Sequence, residues 1–158
     1  GENTSNITIE KTKEIFTASG ASIVNVKKEI DGFILNRLQG ALLNEAMRLY
    51  SDGYASSDEI DATIRDGLGL RWAFMGPFET IDLNAPGGIK DYISRYGPIF
   101  VEMAKNQTKI PDWSEEAGKK LELERRKILG HEELEDRAKK RNQLLKTLRK
   151  VKIDNGEV

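Results

Sequence analysis

Residues 31–50, DGFILNRLQGALLNEAMRLY, decide the fold. Asp31-Gly32 is a turn signal. From Phe33 to Tyr50 the apolar side chains return at helical spacing, with Ile34, Leu38, Leu42 and Leu49 near one face and Leu35, Ala46 and Tyr50 flanking them. This is the strongest helix pattern in the chain, and Asp52-Gly53 ends it. Downstream, Ser56 followed three residues later by Glu59 is a capping-box pattern, opening a helix through Ile60 and Ile64 to Gly67. LGLRWAFMGP (68–77) reads as a loop with two glycines. Pro77 opens the next helix, which runs towards Asn84 with Glu79 in its first turn. Ala85-Pro86-Gly87-Gly88 is a break, and a helix from Ile89 to Asn106 follows, kinked or broken at Gly97-Pro98. Ser114 caps a charged helix, Gly130 interrupts it, and a last helix spans 132–152.

Upstream of residue 31 the pattern changes. Residues 7–19 form a short amphipathic helix, capped by Ser5 or Asn6 and stopped by Gly20. Ser22–Lys27 is a β-branched segment that reads as a strand. A lone strand cannot satisfy its own edges, so it is expected to add to a sheet supplied elsewhere. The expectation is a mainly α protein: residues 31–158 as a helical bundle, and residues 1–30 as one leftover helix–strand unit of a larger domain.

Composition narrows the function. The 158 residues are 38% apolar and 32% charged, with no cysteine, so thiolate catalysis and cysteine-ligated zinc are excluded. No apolar run is long enough to span a bilayer, and GENTSNITIEKTK has no signal-like apolar stretch, so a cytoplasmic setting with no membrane partner is expected. From Ser114 to Lys152 there are 13 Lys/Arg against 8 Asp/Glu. That basic tail invites a nucleic-acid reading. Yet its charges alternate in sign at helical spacing and no aromatics interleave them, which suits a solvated face laced with ion pairs.

Little else can carry chemistry. His131, the only histidine, lies between two charged helices with no positioned partner, so a solvated or capping role is expected. No metal-ligand spacing occurs, and no glycine-rich turn joins a strand to a helix. Asn36 stands apart: it shares a helical stripe with Gly40, Leu43 and Met47. Gly40 costs the helix about 1 kcal/mol against alanine but opens space beside Asn36. The amide either holds a ligand oxygen in that hollow or bonds backbone in the first turn, with Gly40 admitting a crossing helix.

KKEIDGFILNRLQGALLNEAMRLYSDGYASSDEIDATIRDGLG (27–69), followed by MGPFETIDL (75–83), resembles the carboxyl-terminal domain of the 3-hydroxyacyl-CoA dehydrogenases. DGLGLRWAFMGPFETIDLNAPGG (66–88) and IPDWSEEAGKKL (110–121) resemble more particularly the lambda-crystallin and L-gulonate 3-dehydrogenase branch. The resemblance implies a bundle like the carboxyl-terminal part of 6-phosphogluconate dehydrogenase, behind the end of a Rossmann-type NAD domain. It also implies that the NAD loop and a His–Glu acid/base pair lie in that other domain, so this chain alone is expected to bind no NAD and to be inactive. On the matching positions, Asn36 is the asparagine that holds the reacting oxygen, and Arg37 makes an ion pair across the domain junction. A homodimer through the helical part is also implied.

Arg71, with Trp72, marks the branch. Its guanidinium either clamps a substrate carboxylate or lies exposed and stacked on Trp72. L-gulonate, a carnitine or hydroxybutyrate type of acid, and a 3-hydroxyacyl-CoA of fatty acid metabolism all remain open as substrates. The rival reading is a stand-alone helical interaction or nucleic-acid-binding module.

Overall fold

A computed structural model describes residues 3–157, and they are helical throughout, with turns and extended links between the helices. The elements are α1 (Asn6–Ala18), α2 (Phe33–Ser51), α3 (Ser57–Ala62), α4 (Gly69–Trp72), α5 (Pro77–Leu83), α6 (Gly88–Asn106), α7 (Glu115–Ile128) and α8 (Leu134–Asp154). Ser5 caps α1, its side chain accepting from the Thr8 N–H, and Gly20 follows the helix at φ +79°. The Ser56–Glu59 capping box is complete: Glu59 Oε2 accepts from the Ser56 N–H at 2.8 Å while Ser56 Oγ takes the Glu59 N–H. Ser114 caps α7 through the Ala117 N–H.

Three expectations are corrected. Residues 68–77 do not form a loop from the start: the helix of Ser57 continues through a wide turn at Thr63–Leu68 into α4 and ends only at Trp72. Gly67 and Gly69 are held inside helix instead, whereas Gly76 is extended and precedes α5. Of the kink or break expected at Gly97-Pro98, the break does not occur: α6 continues through Pro98, whose missing N–H removes one ladder bond without ending the helix. Residues 22–27 form no strand; among the described residues there is no second strand to pair with, and Ile23 and Val24 are exposed. The physical cause is the one anticipated, since a strand exists only through a partner's hydrogen bonds.

Packing centres on the second half of α2. α2 packs with α3 and α3 with α7, while α5 and α6 form a helical hairpin. Met47, Tyr50 and Ala85 are the buried apolar residues among those described, with Ser57 and Thr80 the buried polar ones. The hairpin is pinned at its turn by Asp82 Oδ1, which accepts from the Ile89 N–H at 2.6 Å. α1 meets the bundle through Arg149 of α8, which donates to the Gly20 carbonyl at 2.7 Å. The solvent-accessible surface is 13068 Å², whereas a compact monomer of 17.8 kDa exposes about 8,000 Å². Much apolar surface therefore stands uncovered, including Leu38 (60% exposed) and Ile93 (57%).

Candidate active site

Asn36 lies in the first turn of α2, and that turn is entered abruptly. Gly32 (φ 80°) and Phe33 (φ 49°) are both left-handed, one after the other. For glycine this is free; for phenylalanine it is strained, by an amount of order 1–3 kcal/mol. A side chain at position 32 would also meet Arg37 Cγ at 3.6 Å and Asn36 Cβ at 3.8 Å. The turn signal at Asp31-Gly32 was legible, but nothing in the sequence pointed to strain at Phe33.

The Asn36 side chain is exposed and makes no hydrogen bond with a described residue. Beside it, nothing lies within 4 Å of where a Gly40 side chain would begin. No described element crosses the helix at Gly40, and the surface beside it is open. Arg37 has no ion-pair partner among the described residues. Arg71 and Trp72 sit at the end of α4, where the Arg71 carbonyl accepts from the Phe74 and Met75 N–H groups at 3.0 and 3.1 Å. The guanidinium is exposed and unpaired among the described residues, and Trp72 is 41% exposed with no stacking between the two.

Two cavities among the described residues lie apart from these three side chains. A cavity of about 530 Å³ lies between α2, α3 and α7, lined by Leu42, Ala46, Ile64 and Arg125 among others. A second, of about 460 Å³, runs along the start of α8 beside Leu134 and Leu145. Neither includes Asn36, Arg71 or Trp72.

A polar cluster absent from the sequence reading lies at the α2–α3–α7 junction. Glu124 Oε1 accepts from the Ser57 N–H at 2.6 Å, satisfying a first-turn donor of α3. Hydrogen bonding from Ser57 holds the Glu124 carboxyl below its usual range. The backbone N–H is the well-formed bond, since the Ser57 hydroxyl completes none of its own. Burial raises the Tyr50 phenol, and the nearby Glu124 carboxylate adds to the rise. Arg125 Nη1 stands 3.3 Å from Asp61 and 3.8 Å from Asp58, facing the acidic start of α3. Arg125 faces carboxylates and Glu124 takes a helix-start N–H, contacts that tie α3 to α7. His131 is likewise solvated, with Nε2 3.1 Å from Glu122. No group of acidic or imidazole side chains among the described residues is arranged to hold a metal. No described helix is long and apolar enough to cross a membrane.

Comparison with known proteins assigns the class. Residues 32–131 match the family model described as 3-hydroxyacyl-CoA dehydrogenase, C-terminal domain, and the chain belongs to that family. Among its relatives, lambda-crystallin of Oryctolagus cuniculus is 40% identical over 151 residues, covering 94% of this chain and 47% of the relative. The lambda-crystallin homolog of Homo sapiens is 37% identical over 114 residues, covering 72% of this chain and 35% of the relative. An L-carnitine dehydrogenase of Pseudomonas putida is 46% identical over 101 residues, covering 63% of this chain and 32% of the relative. The chain thus spans less than half the length of these relatives.

Proposed function

We propose that this chain is the substrate-binding and dimerisation part of an NAD-dependent dehydrogenase that oxidises the 3-hydroxy group of an acid substrate. The observation that carries the reading is Asn36: it falls inside the family match, on the first turn of α2, with its amide unpaired among the described residues and open space at Gly40 one turn on. A buried or structural amide would have found partners for its donors and acceptors. Held against a substrate, this amide donates to the hydroxyl or carbonyl oxygen and orients it. It cannot titrate usefully, so orientation and stabilisation of developing charge are what it offers.

The described residues do not fit NAD. The dinucleotide cradle is a strand running through a glycine-rich turn into a helix, and these residues contain no strand. We therefore assign the cofactor, and the acid/base pair that moves the proton, to the portion of the relatives' length that this chain does not span. Residues 1–30 belong with that portion and 31–158 form the helical domain; the segment from Ser22 to Glu29, exposed except at the half-buried Val26 and without a hydrogen bond to another described residue, supports this division. The isolated chain is then inactive and does not bind NAD.

Arg71 is read as the clamp for the substrate carboxylate, beside Trp72, because its guanidinium is exposed and uncommitted. L-carnitine, named for one relative, and sugar acids of the L-gulonate kind both carry a carboxylate; a 3-hydroxyacyl-CoA presents a thioester instead. The clamp favours the acids.

A second copy of the chain accounts for the surplus surface. Roughly 5,000 Å² beyond the compact expectation far exceeds the 1,000 Å² or so that marks a stable interface. Sedimentation at tens of micromolar is expected to show a dimer, and a monomer would contradict this. For the site, full-length Asn36→Ala is expected to lower kcat by about a hundredfold to a thousandfold with little change in KM. An unchanged kcat in a folded variant returns Asn36 to a structural role.

A further inference from the structure

The helix that begins at Ser57 reaches Trp72 only by way of a π-helical turn at Thr63–Leu68, in which the Gly69 N–H bonds to the Ile64 carbonyl five residues back. Such a turn holds one residue more than an α-turn. Each residue advances the azimuth by about 100°, so the helix beyond it is turned by about that angle from where an uninterrupted α-helix of the same sequence would point. Arg71 and Trp72 are the residues so turned.

Gly69 is what allows it. Its backbone is ordinary, φ −62° and ψ −34°, so any residue tolerates the conformation. The constraint is steric: a Cβ there would stand 2.9 Å from the Ile64 carbonyl oxygen, the acceptor of the wide bond. The obstacle is backbone and cannot swing aside. Gly67, two residues earlier in the same turn, meets nothing within 4 Å. One glycine of the pair is required by the geometry and the other is not.

We infer that Gly69 is a positioning residue for substrate selection: by admitting the wide turn it sets the direction in which Arg71 presents its guanidinium to a substrate carboxylate. The inference rests on the reading of Arg71 as the carboxylate clamp. An alanine at position 69 drives the turn back to α-geometry and carries Arg71 round the helix, away from the substrate. Taking one residue out of the turn as well restores the phase, because a straight helix that is one residue shorter points Arg71 where the wide turn did.

The test uses the full-length enzyme, a hydroxy acid substrate, and KM read separately from kcat. Arg71→Met is expected to raise KM about tenfold or more, equivalent to about 1.4 kcal/mol or more of binding. Gly69→Ala should raise it to a similar extent, and the double variant should lose nothing further, because both changes remove one interaction. Deleting Gly67 in the Gly69→Ala background should return KM to within about twofold of the parent, a recovery that a merely structural glycine would not show. If Arg71→Met raises KM and Gly69→Ala does not, the inference about Gly69 fails and the clamp stands. Losses that add in the double variant likewise assign Gly69 to fold support alone. If Arg71→Met has no effect, the clamp fails and this inference with it. Should Gly69→Ala alone not fold, the deletion variant decides: its straight helix carries no clash, and a KM still raised tenfold overturns the inference.

Discussion

The two halves of α2 have the same helical backbone and opposite surroundings. From Asn44 to Tyr50 the side chains are committed. Trp113 Nε1 donates to Asn44 Oδ1 at 3.0 Å, Arg48 donates to the Lys109 carbonyl at 3.0 Å and pairs with Glu45 at 2.8 Å, and Met47 and Tyr50 are buried. From Phe33 to Gly40 they are free: Leu35 is 75% exposed, Asn36 and Arg37 lack partners among the described residues, and Gly40 faces open space. The committed half is what holds the bundle together. The free half carries the strained entry at Phe33.

Substitutions at the two ends should therefore fail in different ways. Met47→Ala is expected to destabilise the folded chain by about 2 kcal/mol or more, lowering Tm, while the kcat of the remaining folded enzyme holds. Asn36→Ala should do the reverse, leaving stability within about 0.5 kcal/mol. A large drop in Tm for Asn36→Ala would erase the distinction between the halves. A smaller effect is expected at Arg71: replacement by lysine keeps the charge but loses the planar fork, raising KM for a carboxylate substrate about tenfold, or about 1.4 kcal/mol. Equal losses on a substrate lacking the carboxylate would mean that Arg71 supports its turn and does not read the acid.

The smallest effect belongs to the joint beside the committed half. Ser56→Ala removes the capping box and should cost about 1 kcal/mol at neutral pH. The Ser56 hydroxyl and backbone N–H hold the Glu59 carboxyl below its usual value. A depressed carboxylate stabilises the fold above its unfolded pKa, and that stabilisation is lost as pH falls through the folded value. The gap in Tm between parent and variant should therefore narrow below about pH 4. A gap that stays constant down to pH 2 would show that the cap acts without the Glu59 charge.

What was legible in the sequence was local. Ser5, Ser56 and Ser114 announced helix starts because capping is a short-range exchange between one side chain and the next turn's N–H groups. The apolar period of Phe33–Tyr50 announced α2, and the family resemblance of residues 27–69 singled out Asn36. The sequence by itself thus determined the helical class, most helix starts and the family. Only the tertiary structure decided the rest. Whether Leu68–Trp72 is loop or helix turned on a hydrogen bond from Gly69 to Ile64, a wider bond than propensity rules anticipate. Whether Ser22–Lys27 becomes a strand depends on a partner that no residue among those described supplies. Which half of α2 is committed depends on Trp113 and Lys109, which meet Asn44 and Arg48 from 69 and 61 residues further along the chain. Contacts between distant segments leave no periodic trace in either segment, so their pairing appears only once the chain has folded.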